Sequence, residues 1–256
     1  MTAIRRTSST EVLYGMHPVT EALAARRRRI LEIFVAPGKT SGREAILREQ
    51  ALNEGIPLKE IPLFQLNHLA QTRSTQGIAA RTTPYPLCDV GDLLKERRPG
   101  EPPPFFLVAD GVLDPQNLGA LIRTGVCLGI TGIVVPKDRC APPTPAVSRA
   151  SAGALEHVRM ARVTNLVRTL KAFKERGVWV YGLDPRAKYP LFSVDLNGPV
   201  ALVVGGEEKG IRPLVKRACD VLVSIPQKDT LNSMNVSVAG GIAMYAVFHQ
   251  RMYGAS

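Results

Sequence analysis

FFLVADGVLDPQNLGALIRTGVCLGITGIVVP, residues 105–136, sets the architecture of the larger part of the chain. FFLVAD (105–110) and GIVVP (132–136) are short, almost unbroken apolar runs of the kind that form fully buried strands, and Asn117–Leu128 between them is predicted as a helix. The same alternation recurs downstream. Strands are expected at VWVYGL (178–183), PVALVVG (199–205) and VLVSIP (221–226), and helices at 163–176, 213–218 and 236–251. Near-continuous apolar strands separated by helices indicate an α/β fold with a mostly parallel sheet covered on both faces. In such sheets ligands bind where loops leave the C-terminal ends of strands, and each polar cluster of note here follows one of those strands.

Upstream, a smaller α/β pattern is expected: a helix at 17–27, a strand at 30–36, a helix at 43–53, and strands at 57–61 and 77–81. Between the two regions lies RTTPYPLCDVGDLLKERRPGEPPP (81–104), where eight prolines and glycines in 24 residues favour a linker with one short helix at 90–97. The expected organisation is a small domain over 1–81, a linker over 82–104 and a large domain over 105–256.

The formal charge of +11 favours a polyanionic partner, with RNA, DNA and acidic lipid all compatible. Residues 1–81 hold 12 Lys/Arg against 7 Asp/Glu, a net +5, and include the run Arg26–Arg29. A charge run by itself is usually a solvated face, but beside a small basic domain it shifts the balance towards RNA. No apolar run approaches a membrane span, and Arg5 and Arg6 are not followed by a signal-like segment, so a soluble cytoplasmic protein is expected. Cys88, Cys127, Cys140 and Cys219 lie far apart and the four histidines are scattered, so neither disulfides nor a metal site are expected, and the cysteines are read as buried free thiols.

Three loops carry candidate chemistry. In DGVLDPQNLGALIRT (110–124), Asn117 is placed to cap the following helix, and Arg123 offers a rigid fork for phosphate or carboxylate. A capped helix with an arginine reaching to water accounts for that segment about equally well. GGEEKG (205–210) has neither the Walker pattern nor a dinucleotide fingerprint, and its carboxylates disfavour phosphate. Its glycines let backbone come close, and Lys209 beside the acids is also compatible with an ordinary surface turn. SIPQKDTLNSMNVSVAGGIAMY (224–245) crowds Asn232, Ser233 and Asn235 at a helix start, more polar side chains than one helix end can use as caps. No serine triad, paired acids or Cys–His arrangement is present, and group transfer from an activated donor fits better than hydrolysis.

The ordered motifs N-x-G-x-x-x-R-T (Asn117 to Thr124), G-x-E-x-x-G (Gly205 to Gly210) and I-P followed by S-x-N-V-S-V-A (Ile225 to Ala239) resemble those of the SpoU (TrmH-like) RNA ribose 2′-O-methyltransferases. SAGALEHV (151–158) is also similar to that family. YGMHPVTEAL (14–23) and TQGIAA (75–80) resemble the N-terminal domain of its bacterial 23S ribosomal RNA guanosine 2′-O-methyltransferases. The resemblance implies a C-terminal α/β-knot domain, preceded by a ribosomal-protein-L30e-like RNA-binding domain. It also implies S-adenosyl-L-methionine as cofactor, RNA as substrate and a homodimer. By position it assigns Asn117, Arg123, Glu207, Ser233 and Asn235 to catalysis, and Gly205, Gly206, Gly210, Ile225 and Met234 to the cofactor. Two departures stand out: Met234 replaces the usual Leu, a volume-conserving change, and KDTLN (228–232) replaces a Gly-bearing loop.

The resemblance casts Arg123 as a base, whereas its chemistry favours an electrostatic clamp, because a guanidinium does not give up its proton near neutrality. The helix from Val236 is apolar around more than one stripe and contains Gly240 and Gly241, so it is expected to pack on its twin, with Met244 at the interface. A transfer RNA substrate, or a non-catalytic role in RNA binding or ribosome assembly, are the alternatives.

Overall fold

The computed structural model describes residues 10–38, 42–95, 98, 100–228 and 233–254. The chain forms two compact units, one from the residues up to Pro86 together with Pro143–His157, the other from Leu87–Pro142 and from Val158 onward.

The first unit begins with β1 (Glu11–Tyr14), α1 (Met16–Ala25), β2 (Ile30–Val35), α2 (Gly42–Asn53), β3 (Leu58–Glu60), α3 (Leu63–Leu69) and β4 (Ile78–Thr82). Its sheet runs β1-β4-β2-β3, with β4 antiparallel to both neighbours and β3 parallel to β2. Alternation along the strands separates two faces. Leu13, Ile33, Val35, Ile78 and Ala80 pack with Val19, Leu23 and Leu47 from α1 and α2, while Phe34 and Ala79 meet Leu66 of α3 on the other side. β1 and α3 were not foreseen; EVLY and LFQLNHL are too short to establish a period.

The second unit continues with α4 (Val90–Leu93), β5 (Phe105–Asp110), α5 (Pro115–Cys127) and β6 (Gly132–Pro136). The chain then contributes α6 (Pro145–Ala150) and a 3-10 turn (Ala154–His157) to the first unit before returning as β7 (Met160–Val163), α7 (Leu166–Glu175) and β8 (Trp179–Leu183). β9 (Tyr189–Pro190), β10 (Val200–Gly205), α8 (Pro213–Ala218), β11 (Val221–Ser224) and α9 (Val236–Tyr253) complete it. All seven strands pair in parallel in the order β7-β6-β5-β10-β8-β11-β9. Phe106, Val108, Val134, Ala201 and Val203 face Leu170 and Phe173 of α7. The expected helix from 163 instead starts after β7, because the Asn165 side chain caps it by accepting from the Arg168 N–H at 3.0 Å.

The expected boundaries differ from these units in two places. Residues after Pro86 are not a free linker: Cys88 bridges to Ala161, its N–H donates to the Met160 carbonyl at 3.0 Å, and Leu93 is 5% exposed in the core of the second unit. Part of the helix expected over 90–97 falls outside the described residues. Pro143–His157, expected in the large domain, belongs to the first unit because two sequence motifs meet there. A Cβ on Gly153 (φ +85°) would stand 2.6 Å from Glu21 Cγ and 2.9 Å from the His17 carbonyl, and His157 Nε2 lies 2.7 Å from Glu21 Oε2. Below them the fully buried Arg28 side chain donates to Glu11 at 2.8 Å and to Glu156 at 3.2 Å, and Ser148 donates to Glu156 at 2.7 Å. Burial pushes the Glu156 carboxyl above its ordinary range against the pull of Arg28 and Ser148.

α9 corrects another expectation. Met244 is fully buried within the chain, its sulfur 3.3 Å from where a Cβ on Gly125 would lie, and a Cβ on Gly240 would stand 2.3 Å from Leu121 Cδ2. The space at Gly240 is therefore taken by the Leu121 side chain of the chain's own α5. The outward face of α9 is a different stripe, with Val238, Tyr245, Met252 and Tyr253 more than half exposed. Of the cysteines, Cys140 is buried, Cys88 and Cys219 are half-buried and Cys127 is exposed, so the expectation of buried thiols holds only in part. Among the described residues no helix is long and apolar enough to cross a membrane, and no cluster of three or more His, Cys, Asp or Glu could hold a metal.

Replacing Glu156 by Ala is expected to lower stability by about 3 kcal/mol in urea unfolding of the full chain, because it leaves the buried Arg28 guanidinium with Glu11 but without its buried counter-charge, and not because the pair itself is strongly attractive.

Candidate active site

The strands β5, β10, β8 and β11 are neighbours in the sheet, so the loops leaving their C-terminal ends converge. Asp110 ends β5 with no exposed surface, and it fixes both ends of the β10 loop. Its carbonyl accepts from the Gly206 N–H at 2.9 Å, and its carboxylate accepts from the Arg212 N–H at 2.9 Å and from Arg212 Nε at 2.7 Å. The Gly210 N–H closes the loop on the Gly206 carbonyl at 2.9 Å. A Cβ at Gly205 would stand 2.0 Å from the Gly210 carbonyl carbon, and one at Gly206 would stand 2.1 Å from the Gly111 carbonyl oxygen. Neither position has room for a side chain.

Glu207 projects from this loop and starts a directed chain of hydrogen bonds. It accepts from Asn117 Nδ2, the Asn117 Oδ1 accepts from Asn235 Nδ2 at 3.1 Å, and Asn235 Oδ1 accepts from the Ser237 N–H at 2.8 Å and hydroxyl at 2.6 Å. An ionised carboxylate only accepts, so it fixes the orientation of both amides in turn. Asn235 caps α9 through the same oxygen. Asn117, expected as a cap, is not one: Asp114 caps α5 by accepting from the Gln116 N–H at 2.9 Å, and the Asn117 amide is left for the chain of contacts.

A cavity of about 670 Å³ opens beside this chain. Gly205, Gly206, Glu207 and Gly210 form one wall, Ile225 and Gln227 follow β11, and Ser233, Met234 and Asn235 lead into α9. All five residues expected to hold a cofactor line it, as do three of the five expected to be catalytic. Asn117 joins through its bonds to Glu207 and Asn235. Arg123 does not line it: six residues beyond Asn117, roughly 9 Å along the axis of α5, it is exposed and makes no ion pair or hydrogen bond among the described residues. Asn232 and most of KDTLN lie outside the described residues.

Sequence reasoning missed the β8 loop. Leu183, Asp184, Pro185 and Arg186 also line the cavity, with Lys216 of α8. Asp184 is ion-paired with Lys216 and accepts from the Arg186 N–H at 2.8 Å. Burial opposes its ionisation, but Lys216 and that N–H outweigh it and hold the carboxyl below its usual range. The signal was available: DPR directly follows a predicted strand, as the recognised loops do. Burial pushes the thiols of Cys140 and Cys219 up to about 12, which leaves them protonated and unsuited to nucleophilic attack at neutral pH.

Volume and lining suit a nucleoside-sized ligand. Leu183, Val204, Ile225, Met234 and Ala239 offer apolar walls for a flat ring, while glycine backbone and carboxylates offer partners for hydroxyls and an amine. Residues 104–245 match the model of the SpoU rRNA methylase family, and residues 12–88 match that of the RNA 2′-O ribose methyltransferase substrate-binding domain. The chain belongs to the SpoU rRNA methylase family. It is 39% identical over 241 residues to YacO of Bacillus subtilis, covering 94% of this chain and 96% of that protein. It is 36% identical over 247 residues to the 23S rRNA (guanosine-2′-O-)-methyltransferase RlmB of Vibrio cholerae, covering 95% and 98%. A crystal structure of an RNA 2′-O ribose methyltransferase superposes with a TM-score of 0.80 at 26% identity, covering 97% of this chain and 91% of that one. Gly205 and Gly206 of the second motif have a steric reason of their own: they let the chain's own backbone pass.

Asn235→Ala is expected to cost about 1 kcal/mol through loss of the α9 cap, measured by urea unfolding, and to leave Asn117 Oδ1 without its donor while Nδ2 keeps its bond to Glu207, seen as a shifted side-chain amide resonance.

Proposed function

We propose that the protein transfers a methyl group from S-adenosylmethionine to the ribose 2′-hydroxyl of a guanosine in 23S ribosomal RNA. The carrying observation is the hydrogen-bonded chain Glu207–Asn117–Asn235 set against the wall of a nucleoside-sized cavity. Family membership supports the chemistry, and the name of the Vibrio cholerae relative, over nearly the full length of both chains, supports the target. S-adenosylmethionine supplies an electrophilic methyl group on a sulfonium. Gly205, Gly206, Gly210, Ile225 and Met234 would hold it, largely through main chain and apolar contact, and Asp184 adds a fixed carboxylate to the same cavity.

The chain's own side chains then act on the RNA. Asn117 and Asn235 are oriented in advance by Glu207, so no reorganisation is needed when the ribose arrives, and such alignment is a major source of rate. Ser233 offers a hydroxyl to the ribose. Arg123 stays protonated and serves as a clamp on the adjacent phosphate and the developing alkoxide; its exposure outside the cavity suits a group that meets RNA and not the cofactor. A non-catalytic RNA-binding role would leave both the cavity and the directed amide chain without a use.

The same reading includes a homodimer, a trefoil knot and a cytoplasmic location. Val238, Tyr245 and Met252 recur at intervals of seven along the outer face of α9, the spacing of a helix seam, and this stripe replaces Met244 as the proposed contact. The close passage of main chain at Gly205 and Gly206 supports a threaded crossing.

Arg123→Ala is expected to abolish methylation of 23S ribosomal RNA, followed by tritium transfer and mass spectrometry of 2′-O-methylguanosine, while calorimetric affinity for S-adenosylmethionine stays within about twofold. Methylation at the wild-type rate would refute this assignment. Tyr245→Glu is expected to sediment as a monomer, and a wild type that is itself monomeric would remove the dimer from the account.

A further inference from the structure

α3 and the loop after it present an outward surface that the core of the first unit does not use. Leu66 is the helix's one fully buried residue, packed with Phe34 and Ala79. On the opposite side Phe64 is 71% exposed, an unusual position for a large apolar ring, and His68, four residues on, shares its face. The chain leaves the helix into a groove of about 420 Å³ lined by Asn67, His68, Gln71, Thr72 and Arg73.

This loop is built and held. Thr75 is fully buried and donates to Asn67 Oδ1 at 2.7 Å, while the Thr72 N–H donates to the Asn67 carbonyl at 3.1 Å. Gln71 and Gln76 take left-handed backbone, with φ of 52° and 54°, and both present exposed amides. Non-glycine residues adopt that conformation at a cost, which the anchoring of Asn67 and Thr75 sustains. From Ile61 to Cys88 there is Arg73, Arg81 and His68 and no carboxylate, and Glu60, just before this stretch, is paired with Arg48 at 2.9 Å. Exposed planar rings, amides able to read base edges and an unopposed cation together match the chemistry of unpaired RNA and not that of a duplex, which offers its bases already stacked.

We propose that Phe64, His68, Gln71 and Arg73 form a platform for single-stranded RNA, with unstacked bases on the two rings, the Gln71 amide on a base edge and Arg73 on a phosphate. This deepens the reading of the protein as an RNA methyltransferase and rests on it.

The test is fluorescence anisotropy of the full chain with a labelled unpaired oligoribonucleotide, a labelled 23S ribosomal RNA fragment and, as a third arm, ribosomal particles, across a salt series. Phe64→Ala should weaken binding about tenfold without changing the salt slope, since stacking carries no counterion release, and Phe64→Trp should restore it. Arg73→Ala should lower the slope by about 0.7, the share of one phosphate on a single strand. Calorimetric affinity for S-adenosylmethionine should stay unchanged in all three variants. Phe64→Ala binding both RNAs as the wild type does would overturn the platform while leaving the methyltransferase reading intact. Weakening seen only on ribosomal particles would assign the face to a protein partner and also overturn it. A wild type that binds neither RNA would remove the RNA reading together with the platform.

Discussion

Main chain passes so close to main chain at the end of β10 that residues 205 and 206 have no space for a Cβ. Everything at the site depends on that passage. It lets the loop fold back through the Gly210 N–H onto Gly206, brings Gly206 against Gly111 after β5, and leaves the Asp110 carboxylate positioned to take both the backbone and the side chain of Arg212. With the loop so closed, Glu207 is presented to α5 and the start of α9. Without it, the carboxylate that orients both amides would have no fixed position.

The amide chain couples three parts of the sequence that lie far apart. Glu207 comes from the β10 loop, Asn117 from the first turn of α5 and Asn235 from the cap of α9. Direction runs one way, from the carboxylate to the free N–H groups of α9, so one ionised group settles the geometry of the set. The same helix start forms a wall of the cavity, which links the amide chain to the glycine loop on the facing wall.

Five strands of the parallel sheet were legible because they are almost unbroken apolar runs, while β7 and the two-residue β9 were not foreseen, and three of the site's loops were legible because polar residues directly follow such runs. What sequence could not supply was the reason for particular residues. Gly205 and Gly206 were read as cofactor contacts, and the structure adds a second reason for glycine at both, the close passage of the chain's own backbone. Asn117 looked like a cap until Asp114 was found to hold that role. Met244 looked like an interface residue because α9 is apolar on several sides, and only its contact with α5 shows which side is inward. Segment Pro143–His157 was misplaced for a related reason: Arg28 beside Glu156, and Glu21 beside Gly153 and His157, lie more than a hundred residues earlier, beyond the reach of any local pattern.

The backbone passage is tested most directly by substituting Gly206 with Ala and titrating the purified variant with S-adenosylmethionine in a calorimeter, with circular dichroism to report the fold. A methyl group there must displace the Gly111 carbonyl and open the β10 loop. The account predicts a folded protein with no measurable binding at concentrations that saturate the wild type. A folded Gly206→Ala protein that binds with wild-type affinity would contradict it.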